Sequence, residues 1–329
     1  MKRKLFIAAV AAVALAACEE KINEQTVSAD EMVELKISVP VAATKVSEKN
    51  EPGTPDAVNS LQVFLFNEDG DLEASDVQRN SSLVLPCVPG QKKVVALVNA
   101  PELTDVTSYS QLTSKASKLT DNTLDSMVME GEVEVEVTKN VSITIPVSRL
   151  AAKVMLRQVI NNFELLTHQQ MDFAINAVYL VNVAGERYYL NDTMPSLWYN
   201  KMKNEYDAEK GDPTFIYDAM SSPVKVPYNA TYTADKYYYC YPNPVTVDTS
   251  DETWSERCTR LVVEATLGTE TVYYPITLPN VSKNTAYEIT LKITRPGSES
   301  PDVPVSGHVA EFKIEVQDWI TGELIEEVI

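Results

Sequence analysis

Glycine and histidine are scarce in this 329-residue chain, which has 10 glycines and 2 histidines. So little glycine leaves no phosphate-cradling loop and no glycine-rich repeat array. His168 and His308 lie far apart, with no His-Glu helix motif and no metal-ligand spacing. There is no nucleophile elbow, and neither histidine has a motif that would set it beside a serine. These shortages argue against an enzyme, a metal and a cofactor. Positive charge is also short: 28 Lys and Arg stand against 47 Asp and Glu, a net charge of −19. Such a surface repels phosphate backbones and anionic lipid, so nucleic acid is not an expected partner. In so acidic a chain, carboxylate pairs such as Glu326-Glu327 are ordinary. Beyond Cys18 only Cys87, Cys240 and Cys258 remain. Cys240 and Cys258 either pair in an oxidising compartment or stay as buried free thiols.

What is present begins at the first residues. Lys2, Arg3 and Lys4 precede an apolar run from Leu5 to Ala17, the length of a signal-peptide core and too short to span a bilayer. The run closes on Leu15-Ala16-Ala17-Cys18, a bacterial lipobox in which small residues suit the signal peptidase and Cys18 supplies the thiol to be acylated. An ordinary secretory signal with a chance cysteine is the alternative. Residues 1–17 are thus expected to be removed, taking three positive charges with them. A lipid on Cys18 would hold the mature chain to a membrane, at about 0.8 kcal/mol per buried methylene. Residues 18–30 read as a polar tether. Glu19, Glu20 and Lys21 resemble the surface-export signal of Bacteroidetes lipoproteins.

Period-two patterning then dominates. Val33, Leu35, Ile37 and Val39 alternate with Glu34, Lys36 and Ser38, a first strand within Met32 to Val41. Residues 42–57 break the pattern and form a protease-accessible loop that holds Lys45 and Lys49. Leu61 to Phe66 is a second strand, ended by an Asn67-Glu68-Asp69-Gly70 turn. The continuous apolar run within Lys92 to Asn99 reads as a central strand. Leu112, Ala116 and Leu119 fall at helical spacing and predict one short helix. Val133 to Val137 and Val141 to Val147 predict a hairpin around Thr138-Lys139-Asn140. Further strands are expected at 173–183, 237–241, 261–267, 271–278 and 287–293, with long loops over 191–223. The sum is a mainly β chain: two antiparallel β-sandwich domains in series, 31–147 and 148–329, with a short helix in the first.

The last stretch is also apolar in alternation. Ala310, Phe312, Ile314 and Val316 interleave with Glu311, Lys313, Glu315 and Gln317, the pattern of a strand with one buried face. After Trp319 and a Thr-Gly break come Leu324, Ile325, Val328 and Ile329, which need a dry partner in their own domain or on another molecule. Strand suits the context, and the i, i+4 spacing also allows a short helix. The tyrosines at 228, 232, 237, 238, 239 and 241 suit either strand packing or a sugar- or protein-binding face. Asp125-Ser126-Met127 and Asp192-Thr193-Met194 resemble the O-glycosylation motif of Bacteroidetes.

Several of these segments, in order, resemble the fimbrillin family, the type V pilins of Bacteroidia. They are the lipobox, the strand Leu35 to Val41 with its basic loop, Leu61-Gln-Val-Phe-Leu-Phe-Asn-Glu-Asp-Gly70, Lys93-Val-Val-Ala-Leu-Val-Asn99, and Arg149 with its Ala-Ala-Lys-Val sequel. Asn284 to Trp319 completes the set, with Tyr287-Glu-Ile-Thr-Leu-Lys-Ile-Thr-Arg-Pro-Gly297 and a Val-Gln-Asp-Trp ending. The resemblance implies transthyretin-like sandwiches and a cell-surface structural subunit that polymerises with its own kind or with related fimbrial subunits and supports adhesion. It implies export to the outer membrane as a lipoprotein, then cutting by a trypsin-like protease in the loop after the first strand. Loss of that strand (Val33, Leu35, Ile37, Val39) would open a groove for a neighbour's C-terminal donor segment (Leu324, Ile325, Val328, Ile329). Family stalk subunits are cut after Arg, whereas no Arg lies between Cys18 and Arg79. Lys45, then Lys49, is the substitute. An uncut chain would instead be an anchor or accessory subunit, and a surface glycan-binding lipoprotein is the reading from another class.

Overall fold

The computed structural model describes residues 32–40, 53, 56–202, 216–248, 255–278, 280–303, 305 and 310–319. Strands dominate. In order they are β1 (Val33–Ser38), β2 (Leu61–Phe66), β3 (Leu72–Gln78), β4 (Ser82–Cys87), β5 (Gly90–Val98), β6 (Ala116–Lys118), β7 (Met129–Val137), β8 (Val141–Thr144), β9 (Ser148–Arg149) and β10 (Ala152–Asn161). There follow β11 (Phe173–Val181), β12 (Val183–Ala184), β13 (Glu186–Tyr188), β14 (Trp198–Tyr199), β15 (Tyr217–Lys225), β16 (Thr231–Cys240), β17 (Arg260–Leu267), β18 (Glu270–Thr277), β19 (Thr285–Ile293) and β20 (Ala310–Asp318). The described helices are short: α1 (Tyr109–Thr113), α2 (Leu166–Gln169) and a 3-10 turn at Leu119–Asp121.

The central layer of the first half is a five-stranded sheet in the order β3-β2-β5-β7-β9. Its two apolar strands are buried on both faces. Leu61, Val63, Leu65, Val94, Ala96 and Val98 face the small sheet β4-β1-β8, while Phe64, Phe66, Val95 and Leu97 face the larger core. Double-sided burial explains the apolar runs Val63 to Phe66 and Val94 to Val98, which do not alternate. Gly70 closes the β2–β3 turn at φ +84°, with its N–H donating to Asn67 O at 3.0 Å.

The second half holds two four-stranded sheets, β16-β10-β19-β20 and β15-β11-β17-β18. Their inner faces meet in one core that includes Val154, Leu156, Ile175, Leu180, Val263, Ile289 and Leu291. This core continues into Phe64 and Leu97 of the first half. A short ladder between β6 and β13, and a Ser117 Oγ to Tyr241 hydroxyl bond of 2.7 Å, tie the halves further.

Most ladders are antiparallel, as expected, but β1–β8 and β10–β19 are parallel. Two local expectations are corrected. β7 and β8 do not form a hairpin: β7 pairs with β5 and β9, while β8 crosses to the other sheet and pairs with β1. The predicted helix through Leu112, Ala116 and Leu119 stops at Thr113. Ala116 enters β6 because β13 offers it a ladder, and Leu119 lies in the 3-10 turn, so tertiary pairing overrides spacing. The 191–223 stretch is less irregular than expected, since β14 and the start of β15 fall in it.

Candidate functional site

The feature that stands apart is the seat of β1. This six-residue strand lies between β4, to which it is antiparallel, and β8, to which it is parallel. Leu35 faces Leu85 on one side and Val141 on the other; Ile37 faces Leu83 and Ile143. The alternation read from sequence holds in space: Leu35 and Ile37 have no exposure and Val39 has 3%, while Val33 is half-buried and Glu34 and Lys36 point to solvent. Burying such a side chain is worth about 1.5–3 kcal/mol, so these residues supply most of what holds the strand. Polar ties are few and peripheral. Asn140 Oδ1 accepts from the Glu34 N–H at 2.9 Å, and the Ser38 hydroxyl donates to Ile143 O at 3.2 Å.

Among the described residues, β1 alone links β4 and β8 within this sheet. Without it, two strand edges and a row of apolar sockets floored by Leu61, Val63, Leu65 and Ala96 would open together. Unpaired edges of that kind accept an incoming strand through backbone hydrogen bonds, with alternate side chains filling the sockets.

The opposite end of the chain is built differently. β20 pairs with β19 alone, so one of its edges has no neighbouring strand among the described residues. Its expected buried face is largely open: Phe312 is 43% exposed and Val316 55%, with Ile314 half-buried and Ala310 alone enclosed. The strand reading is right, and the burial inferred from its alternation is corrected. Phe312, Ile314 and Val316 face the same side as their register partners Leu291, Ile289 and Tyr287, but they overhang the core at the sheet's edge. Trp319, just beyond β20, is buried at 3% exposure.

Among the other expected sites, Cys18, Lys45, Lys49, Leu324, Ile325, Val328, Ile329 and His308 lie outside the described residues. Cys87, Cys240 and Cys258 are free and buried, so the Cys240–Cys258 bridge is not the arrangement found. Burial pushes the Cys240 thiol up to about 12. Tyr238, Tyr239 and Tyr241 belong to the core, and Tyr241 is bonded to Ser117 and Asn122. Of the cluster only Tyr228 is exposed, so packing accounts for it better than a binding face. His168 sits at the end of α2 with its ring edge-on to Phe163 at 5.8 Å. The surroundings of Arg149 were not legible in sequence, which marked the residue only through the family resemblance.

Residues 32–162 match the family model of the major fimbrial subunit protein (FimA), which bears out the family resemblance read from the sequence. No curated protein matches the chain. A fimbrilin from Porphyromonas gingivalis is 13% identical with a TM-score of 0.64, over 88% of this chain and 98% of that one. A candidate cell adhesion protein of Bacteroides eggerthii is 20% identical with a TM-score of 0.65, over 88% and 96%. The tip fimbrial protein Mfa3 of P. gingivalis, with a C-terminal truncation, is 14% identical with a TM-score of 0.54, over 88% and 100%. At these identities the likeness establishes the shared fold.

Proposed function

We infer that this chain, with a major-fimbrial-subunit match over residues 32–162, is a structural subunit of a cell-surface fimbria that polymerises by exchanging β1 for a strand of its neighbour. The carrying observation is the β1 seat. A short strand with two ladders and two wholly buried side chains, Leu35 and Ile37, followed by the buried Val39, lies just ahead of the stretch that holds Lys45 and Lys49. In this reading the chain reaches the outer membrane lipidated on Cys18 and is organised as domains 31–147 and 148–329. A trypsin-like protease then cuts after Lys45 or Lys49. The freed seat takes Leu324, Ile325, Val328 and Ile329 of the next copy or of a related subunit, and the fibre serves adhesion.

Two ladders replace one open edge on each side, so exchange satisfies backbone groups while shielding the sockets from water. The donor is not an ideal match as a strand. One face would carry Leu324, Glu326 and Val328, the other Ile325, Glu327 and Ile329. Either face brings a carboxylate toward a dry socket, a desolvation cost that the apolar residues of that face must offset.

The absence of Arg between Cys18 and Arg79 favours one second reading, an uncut anchor subunit that keeps its lipid. The test of the main reading is deletion of Gly322–Ile329 followed by electron microscopy of protease-treated protein. A folded monomer without fibres is expected, and normal fibres from the deletion would refute it.

A further inference from the structure

Trp319 closes β20, and it is gripped from several sides. Its backbone N–H donates to Asn284 O at 2.8 Å, and its ring stacks on Tyr239 with centroids 5.5 Å apart. The Arg149 guanidinium lies over that ring, 4.2 Å from its centre, and Lys153 Nζ approaches to 5.1 Å. Arg149 Nη1 also donates to Trp319 O at 2.9 Å and to Asn284 Oδ1 at 3.0 Å. A guanidinium over an indole face is a favourable contact, and more so where water is excluded.

The Arg149 side chain has no solvent exposure, so its charge needs a counter-charge nearby. Asp56 supplies it through an ion pair with Nη2, and the Asp56 side chain is itself 13% exposed. Asp56 comes from a different part of the chain. It stands ahead of β2, downstream of Lys45 and Lys49, on the connection that leads back to β1. One buried cation therefore joins the backbone just ahead of β2 to the end of β20.

We propose that Asp56, Arg149 and Trp319 form a latch through which the backbone just ahead of β2 controls the release of β20. While Asp56 holds its place, the guanidinium stays neutralised in the interior and grips both the ring and the carbonyl of Trp319. Withdrawal of Asp56 removes a counter-charge from a dry site that a second cation, Lys153, also borders. The relief is for Arg149 to turn toward water, and its bonds to Trp319 and Asn284 go with it. Arg149 is thus a positioning residue that keeps the end of β20 docked while Asp56 holds its place. β20 is suited to respond, since it is an edge strand with little enclosed beyond Ala310.

The use of the latch in assembly rests on the strand-exchange reading above; the coupling itself does not. The test compares the full chain with its Asp56→Asn and Asp56→Glu variants by hydrogen exchange read peptide by peptide. Asp56→Asn is expected to speed exchange across 310–319 about tenfold, with β2 and β5 unchanged, and Asp56→Glu to restore protection. Unchanged exchange in 310–319, or an equal rise in every strand, would overturn the latch, the second by marking an ordinary structural ion pair. Fibre growth after protease treatment, followed in parallel, is expected to be faster for Asp56→Asn. A latch seen by exchange in protein that forms no fibres under any condition would count against strand exchange and leave the latch standing.

Discussion

β1 and β20 carry nearly the same pattern, Val-Glu-Leu-Lys-Ile-Ser-Val from Val33 and Ala-Glu-Phe-Lys-Ile-Glu-Val from Ala310. Their fates differ. β1 lies in the middle of its sheet with a ladder on each side, and Leu35 and Ile37 are wholly enclosed. β20 lies at an edge with one ladder, and Phe312 and Val316 remain about half exposed. Alternation specifies a strand and its two faces; the neighbours decide whether the apolar face is dry. The strand that the proposal expels is therefore the better held one, and a cut in the chain is what would make it leave.

The sharpest way to break this contrast is to truncate equivalent residues. Ile37→Ala should cost about 2–5 kcal/mol, because the socket cannot close around the loss. Ile314→Ala at the edge should cost about 1 kcal/mol or less. Equal losses in denaturant unfolding would refute the distinction. A smaller effect concerns how β20 is tied to β19. Glu288 accepts from Arg157 Nε at 3.0 Å and from Gln317 Nε2 at 2.6 Å. The hydrogen bond from Arg157 is the main cause that holds its carboxyl below the ordinary glutamate value. A lowered folded value stabilises above the ordinary one, and the gain is lost as pH falls through the folded value. Glu288→Gln should then cost at most about 1 kcal/mol near neutrality. The difference should vanish in acid below that folded value; unfolding curves in the two ranges check this. The smallest effect is expected at Val316→Thr, about 0.5 kcal/mol or less, because the side chain is more than half exposed.

The sequence made β2 and β5 plain, since burial on both faces left the apolar runs Val63 to Phe66 and Val94 to Val98. It also marked β1 and β20 as strands. It could not show that β8 leaves β7 for β1, because that pairing is set by Leu35 and Ile37 a hundred residues earlier. Nor could spacing show that Ala116 would leave the helix, since the ladder that claims it comes from Tyr188. The Asp56–Arg149–Trp319 contact joins three distant segments, and only folding brings such residues together. Lys36 and Val84 face each other across β1 and β4 in the same way, and Val84 is 48% exposed.

That last pair provides the most direct test of the central claim, that the β1 seat receives the C-terminal segment of another copy. Val84→Cys is combined with one cysteine at a time over Glu323 to Val328, and fibres grown after protease treatment are oxidised and separated without reductant. The account predicts a ladder of covalent multimers for at least one position in that scan. Fibres that form in every variant yet yield no ladder at any position would contradict it.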